Sequence, residues 1–240
     1  MPRSPLAEAL SYLADIGWEE VRRGASPARP EASSDAAPVV PPGRVAEAAA
    51  GEPGDREESL RRLAAEAAEC RSCRLCETRQ RVVFGSGRAG ARLMFVGEGP
   101  GAEEDRQGLP FVGRAGELLT RIIGAIELRR EDCYIANIVK CRPPGNRDPQ
   151  PDEAAACRRY LDGQIDAIRP AVLVALGRVA AQALLGTEAP LGRMRGQWYE
   201  VRGVPTLVTY HPAALLRNPE LKRPTWEDMQ RVRDRLRESG

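Results

Sequence analysis

The sequence contains a single histidine, and aromatic residues make up only 5% of its 240 residues. It has no run of about 18 consecutive apolar residues, the length that a membrane-spanning helix needs. Its first residues lack the basic segment, apolar stretch and cleavage site of a secretory signal peptide. These absences exclude an integral membrane protein and predict a cytoplasmic, monomeric chain with no membrane partner.

Residues 24 to 55 also lack aromatic side chains, and they hold six prolines, four glycines and nine alanines. Such a composition buries too little apolar area to offset chain entropy, so we expect a disordered linker there. Before it, three leucines recur at helical spacing and predict an amphipathic helix that needs a partner surface. We therefore divide the chain into an N-terminal helix (residues 1–23), a linker (residues 24–55) and one domain (residues 56–240).

Charge is distributed unevenly between these parts. Residues 1–55 carry five Lys or Arg against nine Asp or Glu, whereas the remaining residues carry 31 basic against 25 acidic side chains, a net charge of +6. This mild excess suits a phosphate-backbone partner, although a solvated surface of mixed charge is the commoner explanation.

The domain alternates apolar strand-like runs with helical segments. Strands are predicted at residues 92–97, 133–139, 171–176 and 204–210, and helices near residues 57–70, 114–127, 152–168, 178–185 and 225–237. Such alternation predicts a three-layer α/β/α fold around a central, mainly parallel four-stranded sheet. In these folds ligands bind beyond the carboxyl ends of the strands, so the residues that follow each strand are the candidates for function.

A glycine-rich turn follows the first predicted strand. It consists of Gly97-Glu98-Gly99-Pro100-Gly101, and Glu103, Glu104 and Asp105 come next. The turn lacks the spacing of a dinucleotide-binding motif and the Lys-Ser/Thr of a P-loop, and its carboxylates would repel a phosphate. Glycines allow close approach of a substrate, and carboxylates can position water or stabilise a cationic transition state, so hydrolysis is the better interpretation.

Two polar residues occupy unusual positions at other predicted strands. His211, with Pro212, directly follows the last strand, where a functional side chain is expected, although a lone histidine is often structural. Asn137 falls inside the second strand, where its amide needs hydrogen-bond partners. An amide with both a donor and an acceptor can read the edge of a base, and the alternative is a satisfied core amide.

Six cysteines are present, and a reducing compartment disfavours disulfides between them. Four have the spacing of two ligand pairs: Cys70, Cys73, Cys141 and Cys157. Four thiolates can hold a zinc ion or a 4Fe-4S cluster, and their spacing alone favours neither, so zinc is the default expectation from the residues. Cys76 extends the first pair to C-x2-C-x2-C, but the Cys-Pro that completes a ferredoxin motif is absent. Cys76 and Cys133 are equally well interpreted as buried thiols.

Taken together, these motifs resemble the family 4 uracil-DNA glycosylases, the iron-sulfur branch of their superfamily. The matching segments, which span about residues 58 to 237, are Cys70-x-x-Cys73 with Leu75 to Arg79, Val83-Phe84-Gly85, Gly97 to Gly101 through Glu104-Asp105, Gly108 to Gly116, Asn137 to Pro144 with Asn146-Arg147, Cys157, and His211 to Arg217. The resemblance implies a three-layer α/β fold and a structural 4Fe-4S cluster on Cys70, Cys73, Cys141 and Cys157. Cys76 is then a spare thiol at a position that the family does not require.

The resemblance also implies roles for the residues around a flipped-out uracil. Phe111 would stack on the base beside Gly99, and Asn137 would bind its Watson-Crick edge and reject cytosine. His211 would stabilise the negative charge on the leaving base. Glu98 is the first candidate for placing the attacking water, and Glu104 would support the water or the sugar cation.

DNA contacts are expected on both sides of that pocket. Leu215, Leu216 and Arg217 follow the histidine and are candidates for a wedge that fills the gap left by the base, the alternative being a buried helix start. Four basic residues are candidates for phosphate contacts, although solvated surface charge explains them equally well: Arg142, Arg147, Lys222 and Arg223.

Two other functions fit the same sequence. A related branch traps uracil-DNA covalently through an extra histidine in an inserted loop, and the lack of a second histidine argues against it here. A non-catalytic iron-sulfur module, bound to a replication or repair protein through the N-terminal helix, is the alternative from a different class.

Overall fold

The computed structural model describes residues 53–239. The predicted N-terminal helix and residues 24–52 of the predicted linker lie outside the described residues. The first described helix begins at Pro53, so the last three residues of the predicted linker belong to its first turn. Within the described residues, no helix combines the length and the apolar character needed to span a bilayer.

The helices agree closely with the predicted segments. In chain order they are α1 (Pro53–Ala68), α2 (Ala102–Gln107), α3 (Arg114–Ala125), α4 (Pro151–Ile168), α5 (Gly177–Leu185), α6 (Leu191–Met194), α7 (Pro212–Arg217) and α8 (Lys222–Glu238). The three that the sequence pattern did not predict, α2, α6 and α7, have only four to six residues each, too few to show a helical period.

The sheet has six strands instead of the predicted four. They are β1 (Ser86–Gly87), β2 (Leu93–Gly97), β3 (Tyr134–Asn137), β4 (Val172–Leu176), β5 (Trp198–Val201) and β6 (Val204–Thr209), in the spatial order β1-β3-β2-β4-β6-β5. The predicted four strands form the parallel centre, and the two added strands pair antiparallel at the edges. Buried parallel strands are long apolar runs, whereas β1 is two residues long and β5 is largely half-exposed, which explains why only the centre was predicted.

The prediction of three layers is confirmed by the two cores on opposite faces of the sheet. Met94 and Val96 of β2 pack on the face that carries α1, α4 and α5. Leu93 and Phe95 of the same strand pack on the opposite face against α3, α7 and α8. Because side chains alternate along a strand, a central strand that is apolar at every position requires helices on both faces.

The parallel centre brings four chain segments to one edge of the sheet. Glu98 follows β2, Asn137 ends β3, Gly177 follows β4 and His211 follows β6 after one residue. All four strands run in the same direction, so these residues meet at the carboxyl edge, where the sequence predicted the functional site.

Candidate active site

Asn137 and Phe111 converge on Gly97 at the carboxyl edge of the sheet. Gly97 and Asn137 are register partners of β2 and β3. A Cβ atom on Gly97 would lie 2.5 Å from Asn137 Oδ1 and 2.6 Å from Phe111 Cζ, so only glycine fits between the two side chains. Asn137 is 2% exposed, and its Oδ1 has no hydrogen-bond partner among the described residues. An unsatisfied buried acceptor costs about 1–3 kcal/mol, which favours a ligand-binding amide over a satisfied core amide.

Phe111 is held in an unusual backbone conformation by Glu104. The residue has a positive φ of 53° and is almost fully buried. Glu104 Oε1 accepts hydrogen bonds from the backbone N–H groups of Val112 and Gly113, at 2.9 and 3.0 Å. A Cβ atom on Gly116 would lie 1.7 Å from the Phe111 carbonyl oxygen, so the loop also depends on that glycine. The carboxylate of Glu104 therefore anchors the Phe111 loop, a role that the sequence pattern did not indicate.

His211 caps the amino terminus of α7, and its surroundings favour the neutral imidazole. Its Nδ1 accepts a hydrogen bond from the backbone N–H of Ala213 at 3.2 Å, which leaves the ring proton on Nε2. Burial and, to a lesser extent, the positive charge of Arg217 lower the pKa of His211 to about 4, against the opposing effect of Glu104. The ring centroid lies 5.5 Å from that of Phe111. The imidazole is thus a neutral donor beside the aromatic ring.

Gly177, which directly follows β4, allows the backbone to pass close to His211. A Cβ atom on Gly177 would lie 2.9 Å from His211 Cβ, and the glycine has a positive φ of 88°. Gly99 shows a similar close approach on the other side of the site. Its missing Cβ would lie 2.9 Å from Val139 Cγ2 and 3.6 Å from Pro143 Cδ. Both glycines let neighbouring segments close around the carboxyl edge of the sheet.

Glu98 belongs to a charged cluster that the sequence did not reveal. Burial first, and then the nearby Asp148, raise the pKa of Glu98 to about 7, against the opposing charge of Arg178. Arg178 donates a hydrogen bond to Asp148 at 2.5 Å. Asp148 lies beyond the matched Asn146-Arg147 segment and Arg178 lies in α5, so no sequence spacing connects either of them to Glu98. The carboxyl group of Glu98 is therefore close to half ionised at neutral pH.

The three residues of the predicted wedge differ in exposure. Leu215 is 0% exposed and belongs to the core, so it is unavailable to DNA in this conformation, and the buried helix start is the correct interpretation for this residue. Leu216 is 37% exposed and Arg217 is also exposed, both at the end of α7. Leu216 is therefore the only apolar member of the three that is accessible at this surface.

The predicted phosphate contacts also differ from one another. Arg142 donates to the side chain of Asn146 at 2.8 Å. Arg147 makes two hydrogen bonds, of 2.8 and 2.7 Å, to the fully buried carboxylate of Glu153. This guanidinium anchors a loop to α4 and is not free for a phosphate. Lys222 is half-buried and Arg223 is exposed, with the Arg223 guanidinium 3.6 Å from a Glu227 carboxylate oxygen.

The four predicted ligand cysteines line one small cavity that is partly open to solvent. Its lining includes Cys70, Cys73, Cys76, Cys141, Cys157, Arg79 and Lys140. Among residues 53–239, no three His, Cys, Asp or Glu side chains stand close enough to hold a single metal ion. The thiols therefore line one cavity without forming a compact site for a single metal ion.

Nitrogen donors point at the sulfur atoms of this cavity. Arg79 Nη1 donates to Cys141 Sγ at 3.2 Å, and the backbone N–H of Lys140 donates to Cys157 Sγ at 3.3 Å. Burial raises the pKa of Cys141 to about 11, although Arg79 opposes the change, and burial raises the pKa of Cys157 against the opposing charge of Lys140. Such donors stabilise thiolates that are bound to a cluster.

The remaining thiols are not equivalent. Burial raises the pKa of Cys70, but hydrogen bonds that involve Ser72, Tyr160 and Arg159 outweigh it and bring the pKa to about 7. Cys133 lies in the opposite core, and burial raises its pKa to about 12, which matches the predicted buried thiol. Cys76 is half-buried and lines the cavity, so it is near the predicted ligands without being enclosed by them.

Comparison with known proteins identifies the family. The family model of the Uracil DNA glycosylase superfamily matches residues 84–230. A Type-4 uracil-DNA glycosylase of Archaeoglobus fulgidus is 45% identical over 183 residues, which cover 73% of this chain and 92% of that protein. The Type-4 enzyme of Thermotoga maritima is 46% identical over 166 residues, which cover 68% of this chain and 86% of that protein. A Type-5 uracil-DNA glycosylase of Thermus thermophilus is 36% identical over 122 residues, which cover 44% of this chain and 54% of that protein. The chain therefore belongs to the uracil DNA glycosylase superfamily and, within it, to the type-4 uracil-DNA glycosylases.

Proposed function

We propose that this chain hydrolyses the N-glycosidic bond of uracil in DNA and leaves an abasic site, the first step of base excision repair of deaminated cytosine. The observation that carries the site assignment is the buried, unpartnered Oδ1 of Asn137 beside the ring of Phe111. A protein tolerates such an acceptor where a ligand completes its hydrogen bonding. The type-4 relatives support uracil as the base.

Recognition begins with removal of the nucleotide from the base stack. The glycosidic bond of a stacked base is inaccessible, so the uracil must be flipped out or met in single-stranded DNA. The Phe111 ring would stack on the base, and the Asn137 amide would pair with its Watson-Crick edge. Cytosine carries an amino group where uracil has a carbonyl oxygen. If the orientation of the Asn137 amide is fixed, it can complete the hydrogen bonds of uracil but not those of cytosine.

Departure of the base places negative charge on a uracil oxygen. His211 is neutral, because burial lowers its pKa to about 4, and its Nδ1 already accepts the Ala213 N–H. The Nε2–H is therefore the group that faces the developing charge. A prearranged donor in a buried site stabilises such charge more than bulk water does.

Attack on the sugar requires a water molecule that an acceptor holds in place. Glu98 supplies that acceptor in its ionised form, and burial first, then Asp148 and Arg178, determine its pKa. Glu104 contributes indirectly, since it fixes the loop that carries Phe111. Leu216, Arg217 and Arg142 are the proposed DNA contacts around the pocket. The exposure of Leu216 and Arg217 supports this role, whereas Leu215 is fully buried.

The cysteine cavity fits a 4Fe-4S cluster held by Cys70, Cys73, Cys141 and Cys157. When bound, such a cluster supplies four iron-thiolate bonds that tie the segment after α1 to the end of β3 and to α4. Its role is then structural, because no step of glycosidic hydrolysis transfers an electron. Cys76 stands outside this set of four.

A monomeric chain and a tethering role for residues 1–23 complete the proposal. A tether raises the effective concentration of the enzyme at a replication or repair protein that its first residues bind. Deletion of residues 1–23 is expected to abolish that binding and to leave uracil release unchanged. Undiminished partner binding would contradict the tether alone.

Mass spectrometry of the released base tests the function against both alternatives. The full chain is incubated with a uracil-containing oligonucleotide or with a matched cytosine control. Mass spectrometry detects any released base, and a denaturing gel detects any covalent protein-DNA product. We expect free uracil, no protein-DNA band, and a loss of at least about 10³-fold in the His211→Ala, Glu98→Ala double variant. A denaturant-resistant band would indicate covalent trapping, and undiminished release by the double variant would remove the site assignment.

A further inference from the structure

Lys140 is a buried cation between the cysteine cavity and the candidate base-reading amide. It is one of only two lysines in the chain, and it is 1% exposed. Its Nζ donates to the backbone carbonyl of Asn137 at 2.9 Å and to Gln164 Oε1 at 2.6 Å. Gln164 is fixed in turn, because its amide donates to the Phe84 carbonyl at 2.8 Å and to the Tyr134 hydroxyl at 3.1 Å.

These acceptors are all neutral, so they do not balance the charge of the ammonium group. Among the ion pairs of residues 53–239, none involves Lys140. Burial of a charged group without a partner of opposite sign costs several kcal/mol, so proteins place such groups beside a counter-charge. The counter-charge of Lys140 must therefore come from another group around it.

The groups that can supply this charge are the thiols. Lys140 lines the cysteine cavity, its own backbone N–H donates to Cys157 Sγ at 3.3 Å, and Cys141 is the next residue in the chain. Cysteines bind iron as thiolates, so a bound cluster with four thiolate ligands places negative charge at this wall of the cavity. The ammonium would then be paired with the cluster on one side and with Asn137 on the other.

We propose that Lys140 is a positioning residue whose ammonium balances the charge of the thiolate cluster and, through the Asn137 carbonyl, fixes the amide that reads the base. The second part rests on the proposed function. A compact ammonium suits this place, because a planar guanidinium needs more room in a close-packed core. The proposal connects cluster loading to base recognition through a single side chain.

A redox titration of the Lys140→Met variant tests the counter-charge without DNA. Methionine fills a similar volume without charge, and Lys222→Met, which changes the other, half-buried lysine, is the matched control. The reduced cluster carries one more negative charge than the oxidised cluster, so loss of a nearby cation destabilises it. We expect a more negative midpoint potential in Lys140→Met and the wild-type value in Lys222→Met. An unchanged potential at full iron content would overturn the counter-charge.

Steady-state kinetics test the connection to Asn137. Lys140→Met is expected to raise KM for a uracil oligonucleotide by about tenfold, the effect of one lost hydrogen bond, with a smaller change in kcat. Unchanged KM would overturn the connection. If the wild-type chain released no uracil, the proposed function would be wrong. The midpoint potential would still test whether Lys140 balances the charge of the cluster, because that measurement needs no DNA.

A further variant decides the matter if Lys140→Met does not fold. Lys140→Gln keeps a donor for the Asn137 carbonyl and lacks the charge. The proposal requires a lower midpoint potential in Lys140→Gln than in the wild-type protein, and equal potentials overturn it.

Discussion

Gly97 and Asn137 face each other across β2 and β3, and the absent Cβ of the glycine would lie 2.5 Å from the amide Oδ1. The glycine thus leaves room for a polar side chain that no other described residue satisfies. The unpartnered Oδ1 of Asn137 distinguishes this site from an ordinary core position, where a buried amide has hydrogen-bond partners.

Asn137→Ala is expected to reduce kcat/KM for uracil release by about 10²-fold or more, because uracil then loses the group that pairs with its edge. The same change should leave the free energy of unfolding nearly unchanged, since Oδ1 makes no hydrogen bond that the fold can lose. Denaturant unfolding and single-turnover release, measured on the same protein, check both parts.

Gln164→Ala is the matched control, because Gln164 is a buried amide with three hydrogen bonds to other groups. Its loss is expected to lower the free energy of unfolding by about 1–3 kcal/mol. If Asn137→Ala destabilised the protein as much as Gln164→Ala, Asn137 would be a core amide.

Glu104→Gln and Glu98→Gln are expected to differ in which kinetic constant they change. Loss of the Glu104 charge weakens the hydrogen bonds from Val112 and Gly113, so Phe111 is less well positioned and KM rises. Loss of the Glu98 carboxylate removes the acceptor for water, so kcat falls by about 10²- to 10⁴-fold. Equal changes in kcat for both variants would argue against the anchoring role of Glu104.

The pH dependence of uracil release follows from Glu98. The pKa of this carboxyl group is raised to about 7, mainly by burial, and only the ionised form accepts a hydrogen bond from water. The single-turnover rate is therefore expected to rise as the pH passes through about 7 and to level off above it. His211 has a pKa of about 4, so it stays neutral across this range and adds no second inflection.

Two variants should move that inflection in opposite directions. Asp148→Asn removes a negative neighbour and lowers the pKa of Glu98, whereas Arg178→Gln removes a positive neighbour and raises it. Shifts of the same sign in both variants would show that another group controls the rate.

Cysteine variants should separate the four predicted ligands from the other thiols. Cys141→Ala and Cys157→Ala are expected to lose iron and the broad absorbance near about 400 nm, because each removes a ligand from the cavity. Cys133→Ala should keep the wild-type iron content, since that thiol lies in the opposite core. Cys76→Ala should also keep it, and loss of iron there would add Cys76 to the ligand set.

The sequence predicted the central sheet because β2, β3, β4 and β6 are short, largely apolar segments. It did not predict β5, whose residues are mostly half-exposed and include Glu200. The position of His211 after a strand was predictable, because the chain direction of parallel strands brings such residues together. Strand pattern therefore defined where the site lies.

The roles of individual polar groups were less predictable. Glu104 acts on backbone N–H groups eight and nine residues away, and such contacts depend on the loop conformation and not on residue type. Asp148 and Arg178 come from different elements and meet Glu98 only in the folded chain. Leu215 and Leu216 are adjacent identical residues, and only the orientation of α7 places one in the core and the other at the surface.

The most direct test is incision, after alkali, of a labelled oligonucleotide that contains one uracil, by full-length protein purified without oxygen. The wild-type chain is expected to produce uracil-dependent strand breaks, and His211→Ala, with the same iron content and unfolding curve, is expected to lose about 10²- to 10³-fold in rate. Equal incision by the two proteins would contradict the site, and no incision by iron-loaded wild-type protein would contradict the function.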